Sequence, residues 1–196
     1  MKRLRDALCL PLLAPMLLTD RRELIEADVE RWKEIIASPG MLALLRMPEF
    51  RSVYLFRLRQ GNRAGWLLGR LLTCVYRPQS TLYILAKSAG PGLFVQHGFA
   101  TIVIAERIGA NCWINQQVTV GYRDRTRAPV IEDDVVIHAG AQIIGDITVG
   151  AGSTVGANAV VIADVPPGHT AVGVPARYIP KRPEPAERPT SAKSPI

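Results

Sequence analysis

The chain has 196 residues, a formal charge of +7 and 48% hydrophobic residues. That composition suits one domain or one and a half with a buried core, and it excludes disorder of the whole. Cys9, Cys74 and Cys112 show no paired spacing and no histidine partner pattern, so reduced thiols of a cytoplasmic protein are expected rather than a disulfide framework or a zinc knuckle. The positive charge raises the question of nucleic acid, but there is no aromatic and basic interleaving and no recognised nucleic-acid module. Anionic small molecules or a membrane surface suit the charge better.

The first residues, MKRLRD, followed by an uncharged run from Ala7 to Thr19, have the outline of a secretory signal. Pro11 and Pro15 interrupt that run and no small-x-small site closes it, so no cleaved leader is expected. A second uncharged run, Ser88 to Ala105, contains His97, Pro91 and three glycines, and no transmembrane helix is expected from it. Between these runs lie three helical segments. Ile25, Val29, Trp32 and Ile36 form one stripe that stops at Ser38-Pro39-Gly40. A second segment from Pro48 to Gln60 carries Phe50, Val53, Tyr54 and Leu58. The third, Arg63 to Tyr76, sets Arg63, Arg70 and Arg77 beside Trp66, Leu67, Leu71, Leu72 and Val75. That combination also describes a helix lying in a membrane interface.

Farther on, Ile131, Ile137, Ile143, Val149, Val155 and Val161 recur every six positions. Each is followed four places later by a small or aliphatic residue: Val135, Ala141, Ile147, Ser153, Ala159 and Val165. A six-residue period drifts around a helix, and a two-residue strand alternation does not explain the matched small positions. Three such hexads make one triangular coil whose aliphatic residues share an interior with the coils stacked on it. The fold class expected is therefore mainly β, a left-handed parallel β-helix preceded by a helical segment. Upstream the phase continues at Ile102, Ile108, Ile114 and Val120, with Cys112 and Val118 at the small position, and eleven residues then separate Val120 from Ile131. A loop is ejected there. The expected organisation is a helical segment over 1–80, the β-helix over 81–180, and a tail over 181–196, too rich in proline and polar residues to bury a face.

The stretch GLFVQHGFATIVIAERIGANCWINQQVTVGY, continued by APVIEDDVVIHAGAQIIGDITVGAGSTVGANAVVIADVPPGHTAVGVPAR, resembles the serine acetyltransferase family and its relatives that O-acetylate bacterial polysaccharides. The parts come in a specific order: a histidine and glycine at the first coils, a loop after VTVGY, a return at Pro129, paired hexads with AGA and GAN, then GVPAR. The resemblance implies acetyl-CoA as co-substrate and a homotrimer with the cofactor in the groove between subunits. It also implies that His97 acts as general base on an acceptor hydroxyl. An alcohol is a poor nucleophile at neutral pH, and an imidazole with an ordinary pKa of about 6.5 can take its proton and pass it to the leaving thiolate. By the same resemblance Ala139, Gly140 and Ala157 line the cofactor groove and Arg177 and Lys181 meet its phosphates. The backbone amide of Gly121 is a candidate donor to the oxyanion.

Three departures bear on the acceptor. Members that use serine have an aspartate before the catalytic histidine, where this chain has Gln96; another acid fifteen residues earlier, where Leu82 stands; and arginine-histidine before the proline, where Arg127-Ala128-Pro129 stands. A carbohydrate or lipid-linked glycan hydroxyl needs the base but no ammonium clamp, and Gln96 can both donate to and accept from neighbouring hydroxyls. Arg123, Arg125 and Arg127 of the loop are candidate phosphate contacts for such a glycan or for coenzyme A. A lipid-linked acceptor would place the enzyme in the cytoplasm or peripherally at the inner face of the membrane. His97, His138 and His169 are 41 and 31 residues apart, without the close pair a zinc site needs, so no metal is expected. The sequence thus points to an acetyl-CoA-dependent O-acetyltransferase of carbohydrate or polysaccharide precursors. Serine O-acetylation and a non-catalytic β-helix scaffold are the alternatives.

Overall fold

The computed structural model describes residues 9–37, 40–124 and 127–181. Arg125, the MKRLRD start and the tail beyond Lys181 lie outside the described residues. A 3-10 turn at Leu10–Leu13 leads into α1 (Ala14–Leu18), α2 (Arg22–Ile36), α3 (Met41–Leu44), α4 (Pro48–Gln60) and α5 (Arg63–Leu72). In α2 the residues Ile25, Asp28, Val29 and Trp32 are buried on one stripe. The last helix stops at Leu72 rather than Tyr76. Thr73 Oγ1 takes up the Arg70 carbonyl at 2.6 Å, and Pro78 ahead disfavours helical backbone in the residue before it.

The rest is a parallel β-solenoid of three stacked sheets. The first holds β1 (Leu82–Ile84), β3 (Thr101–Val103), β6 (Thr119–Gly121), β9 (Gln142–Ile144) and β12 (Val160–Val161). The second holds β4 (Arg107–Ile108), β7 (Val130–Ile131) and β10 (Thr148–Val149). The third holds β2 (Phe94–Val95), β5 (Trp113–Ile114), β8 (Val136–Ile137), β11 (Thr154–Val155), β13 (His169–Val172) and the antiparallel β14 (Arg177–Pro180). Five strands in the first sheet mark about five turns. Each sheet stacks one aliphatic ladder inward: Ile84, Val103, Val120, Ile143 and Val161 in the first, Ile108, Ile131 and Val149 in the second, and Val95, Ile114, Ile137 and Val155 in the third. All are buried, as are the small positions Cys112, Val118, Val135, Ala141, Ser153 and Ala159.

One repeat assignment is corrected. Ile102 is 40% exposed, and its neighbour Val103 points inward with no exposed surface. Between the third and first sheets the ladder residues are normally six apart, as in Ile114 to Val120, but eight separate Val95 from Val103, and only five separate Val103 from Ile108. A two-residue insertion followed by a one-residue shortening leaves Ile102 six before Ile108 by coincidence.

The helices are bound to the first coil by a buried network. Arg57 donates from Nε to Asp28 Oδ2 at 2.8 Å and from Nη2 to Oδ1 at 2.9 Å. Two further N–H groups go to the carbonyls of Ala89 and Gly90, both at 2.6 Å. Asp28 Oδ1 also accepts the Leu93 amide at 2.9 Å, and Trp32 Nε1 donates to the Leu93 carbonyl at 2.9 Å. Burial pushes the Asp28 carboxyl up, and the Arg57 guanidinium with the Leu93 amide pulls it back. The Trp32 ring meets Phe50 and Phe94 edge-on, with centroids 5.1 and 4.6 Å away.

Removing one partner of this pair leaves an uncompensated buried charge. Asp28→Ala is expected to cost about 3–5 kcal/mol of stability, measured by chemical denaturation. Thiol chemistry gives a second check. Burial pushes the Cys112 thiol up to about 11, whereas Cys74 is exposed. At pH 8 the native protein should therefore label fast at Cys74 and not at Cys112 until it unfolds.

Candidate active site

The two-residue insertion at the first coil is His97-Gly98. Gln96 takes the regular corner position, its amide donating to the Ile114 carbonyl at 2.8 Å, just as the Asn115 amide donates to Ile137 and the His138 amide to Val155, both at 2.9 Å. The next regular positions are Phe99, Gln116, Ala139 and Ala157, stacked by bonds from Gln117 N to Phe99 O, Gly140 N to Gln116 O and Asn158 N to Ala139 O. His97 and Gly98 therefore have no counterpart in the coils below and stand out from the corner. The Gly98 amide donates to the Gln96 carbonyl at 2.8 Å across His97, whose φ is 63°. A three-residue turn of this hand is rare and strained. The ring is exposed.

The turn rests on a tight floor. A Cβ added to Gly98, where φ is 60°, would stand 2.9 Å from Leu82 Cδ2, 3.1 Å from Val95 Cγ1 and 3.6 Å from Glu49 Cβ. Leu82 is thus an apolar support beneath the turn and offers the imidazole no hydrogen bond. Glu49, in the first turn of α4, brings a carboxylate-bearing side chain to the same place from the helical segment. Sequence reasoning missed it because 48 residues separate it from His97, and only the docking of α4 on the first coil joins them.

The corner carries Gln96 and His97 in the first coil, Ala139 and Gly140 in the third and Ala157 in the fourth. At its foot the turn 173–176 closes through Val160 N to Gly173 O and Ala176 N to Val160 O, and Arg177 stands opposite Val172. Four coil steps at about 4.8 Å give this column a length of about 19 Å. Small side chains along it let an extended molecule approach the backbone. Lys181 does not join the column. It lies at the far end of β14, and its ammonium donates to the Gly152 carbonyl at 3.0 Å.

Gly121, Arg123 and Arg127 belong to another corner. Gly121 ends β6, opposite Ile144, and its carbonyl accepts the Gly145 amide at 2.9 Å. No heavy atom lies within 4 Å of where its Cβ would be. Arg123 and Arg127 are exposed in the loop that follows. Lys87 first, and Arg127 more weakly, hold the neighbouring Glu106 carboxyl below its usual range. Within one chain the width of the first sheet separates this corner from His97. His138 is exposed on the corner column, and His169 Nδ1 lies 2.9 Å from the Pro167 carbonyl. No group of three metal-binding side chains occurs among the described residues.

Residues 128–163 match the family model of the bacterial transferase hexapeptide, six repeats. The chain is 35% identical to the serine acetyltransferase of Helicobacter pylori (strain J99) over 157 residues, which cover 77% of this chain and 87% of the relative. The chain belongs to the hexapeptide-repeat transferase family. It is also 39% identical over 124 residues to the serine acetyltransferase of Bacillus subtilis (strain 168), covering 60% of this chain. The match spans only 57% of that relative's length. Among solved structures, the Neisseria gonorrhoeae serine acetyltransferase in complex with serine superposes with a TM-score of 0.63 at 27% identity, over 80% of this chain and 68% of that one. Family membership and the solenoid agree with the sequence reading. The relatives named here are serine acetyltransferases, not polysaccharide O-acetyltransferases, so the comparisons favour the serine alternative over the carbohydrate reading.

The floor beneath His97 yields a check. Gly98→Ala should lower stability by about 1–3 kcal/mol, because a side chain there is both strained and crowded. It should also shift the His97 ring resonances in an NMR spectrum while leaving those of His169 in place.

Proposed function

We propose that this chain is an acetyl-CoA-dependent O-acetyltransferase that works by direct transfer with His97 as general base. The observation that carries this reading is the inserted, strained turn that lifts the exposed His97 imidazole out from a corner whose third and fourth coils present Ala139, Gly140 and Ala157. The acceptor hydroxyl gives its proton to the imidazole as its oxygen attacks the thioester carbonyl. The C–S bond then breaks, and the proton passes to the departing thiolate, giving an acetyl ester and free coenzyme A. Ala139, Gly140 and Ala157 are the surface along which the pantetheine arm lies, and Arg177 meets its phosphates.

On one chain the site is open. The arginine loop sits at a different corner, and a concavity of about 510 Å³ lies elsewhere, between α4, α5 and β1. This supports completion by a second subunit, as in a homotrimer, with Gly121, Arg123 and Arg127 of one protomer facing His97 of the next.

For the acceptor, the relatives' names support serine, and Glu49 supplies a carboxylate that can meet its ammonium group while Arg127 meets the carboxylate. A second reading, a carbohydrate hydroxyl, rests on Gln96 beside the base, a neutral amide suited to hydroxyls. Thiol release from acetyl-CoA distinguishes them. Serine is expected to stimulate release, and Glu49→Gln to raise KM for serine with little change in kcat. Stimulation by sugars or nucleotide sugars alone, indifferent to Glu49→Gln, would select the second reading.

His97→Ala should lower turnover by about 100-fold to 10,000-fold while coenzyme A still raises the melting temperature. Ala157→Trp should abolish that thermal shift. A wild-type protein whose melting ignores coenzyme A would be a scaffold instead.

A further inference from the structure

In a helix docked on a soluble core the large apolar side chains normally face inward, and α5 reverses this. Its buried residues are Gly65 and Gly69. A Cβ at Gly65 would stand 2.9 Å from Thr19 Cβ, and one at Gly69 2.6 Å from Leu58 Cδ1, so this face packs by having no side chains. Leu72 packs on the core, but other large residues are left outside: Leu67 is 63% exposed, Leu71 66% and, just beyond the helix, Val75 75%. On the adjoining α1, Leu17 and Leu18 are exposed too. Together they form an apolar surface on the helical end of the molecule, and no helix among the described residues is long and apolar enough to cross a membrane.

The charge on α5 itself has one sign, and the nearest acid, Asp20, is tied to the Asn62 amide at the start of the helix. Between Glu49 and Glu106 the sequence contains seven arginines and lysines and no acidic residue. Arg57 is consumed in the buried pair and Lys87 binds Glu106. Arg63, Arg70 and Arg77 remain exposed beside the leucines. A second copy of the chain docked symmetrically here would set these arginines against their own images. An acidic lipid surface would neutralise them while burying the leucines.

We infer that α1 and α5 form a docking surface for an anionic bilayer, with Leu17, Leu67, Leu71 and Val75 entering the acyl boundary and Arg63, Arg70 and Arg77 engaging lipid phosphates. The site chemistry proposed above does not depend on this, so the two stand or fall separately.

The full-length protein should be sedimented with vesicles of pure phosphatidylglycerol and of pure phosphatidylcholine, with sedimentation velocity run in parallel without lipid. Binding to phosphatidylglycerol is expected, with weakening by salt. Each arginine near an anionic surface is worth about fivefold in partition, so the triple variant Arg63→Gln, Arg70→Gln, Arg77→Gln should bind about a hundredfold more weakly. The pair Leu67→Ser, Leu71→Ser should also lose binding while keeping the wild-type circular dichroism spectrum, because both side chains are already exposed. Absence of binding by wild type, or equal binding to both lipids, would overturn the inference. So would a drop in assembly mass in the leucine variant, which would identify the occupant as a second copy.

Discussion

The buried pairing of Asp28 with Arg57 is the constraint on which the arrangement depends. A β-solenoid has an unpaired edge at its first coil, and an edge left open loses hydrogen bonds and invites association. Here the guanidinium satisfies the Ala89 and Gly90 carbonyls while the carboxylate takes the Leu93 amide. Two charges are removed from water, and the desolvation cost is offset only because every group in the network finds a partner. With Trp32 bonded to the Leu93 carbonyl, helices and solenoid share a single core. Val95, two residues on, starts the inward ladder of the third sheet, and the His97 turn follows immediately. The position of the proposed base is therefore set by an ion pair whose two members come from the helical segment.

The coils are most regular along the sheet faces, and the irregularities collect at corners. A residue in a sheet face must keep register with the coils above and below it, so an insertion there would shift every later side chain. A corner residue is freer. The His97-Gly98 insertion, the loop between β6 and β7, and the turn 173–176 all use this freedom. Two of them fall on the corner shared by the third and first sheets, and the loop leaves from the other end of the first sheet.

This division explains what the sequence reveals. From Ile108 onward the six-residue period is nearly pure, because each aliphatic residue is stacked between equals, and fold class and inward residues can be read directly. The period misleads at Ile102, where an insertion and a shortening almost cancel. The ion pair had left a trace: Asp28 falls between Ile25, Val29 and Trp32 on the apolar stripe of α2, and Arg57 falls beside Val53, Tyr54 and Leu58 in α4. A charge on an apolar stripe is a sign of a buried partner, but its identity depends on how the helices dock. Glu49 left no such trace, being an ordinary acidic residue in a first helical turn.

That last residue bears most directly on the chemistry. Sequence pattern alone places neutral or apolar groups, Gln96 and Leu82, where a carboxylate would help to hold an amino acid, and so argues for an uncharged acceptor. The structure keeps those two positions as they are but brings an acid to the floor of the turn from a different part of the chain. A charge needed at a site can be supplied from any element packed against it, so a missing motif residue weakens a substrate assignment only after the neighbouring elements have been considered. In this chain the element is α4, the same helix that contributes Arg57 to the buried network. One helix thus anchors the first coil and brings the Glu49 stem under the turn that carries the proposed base, so the packing of that coil and the surroundings of His97 are set together.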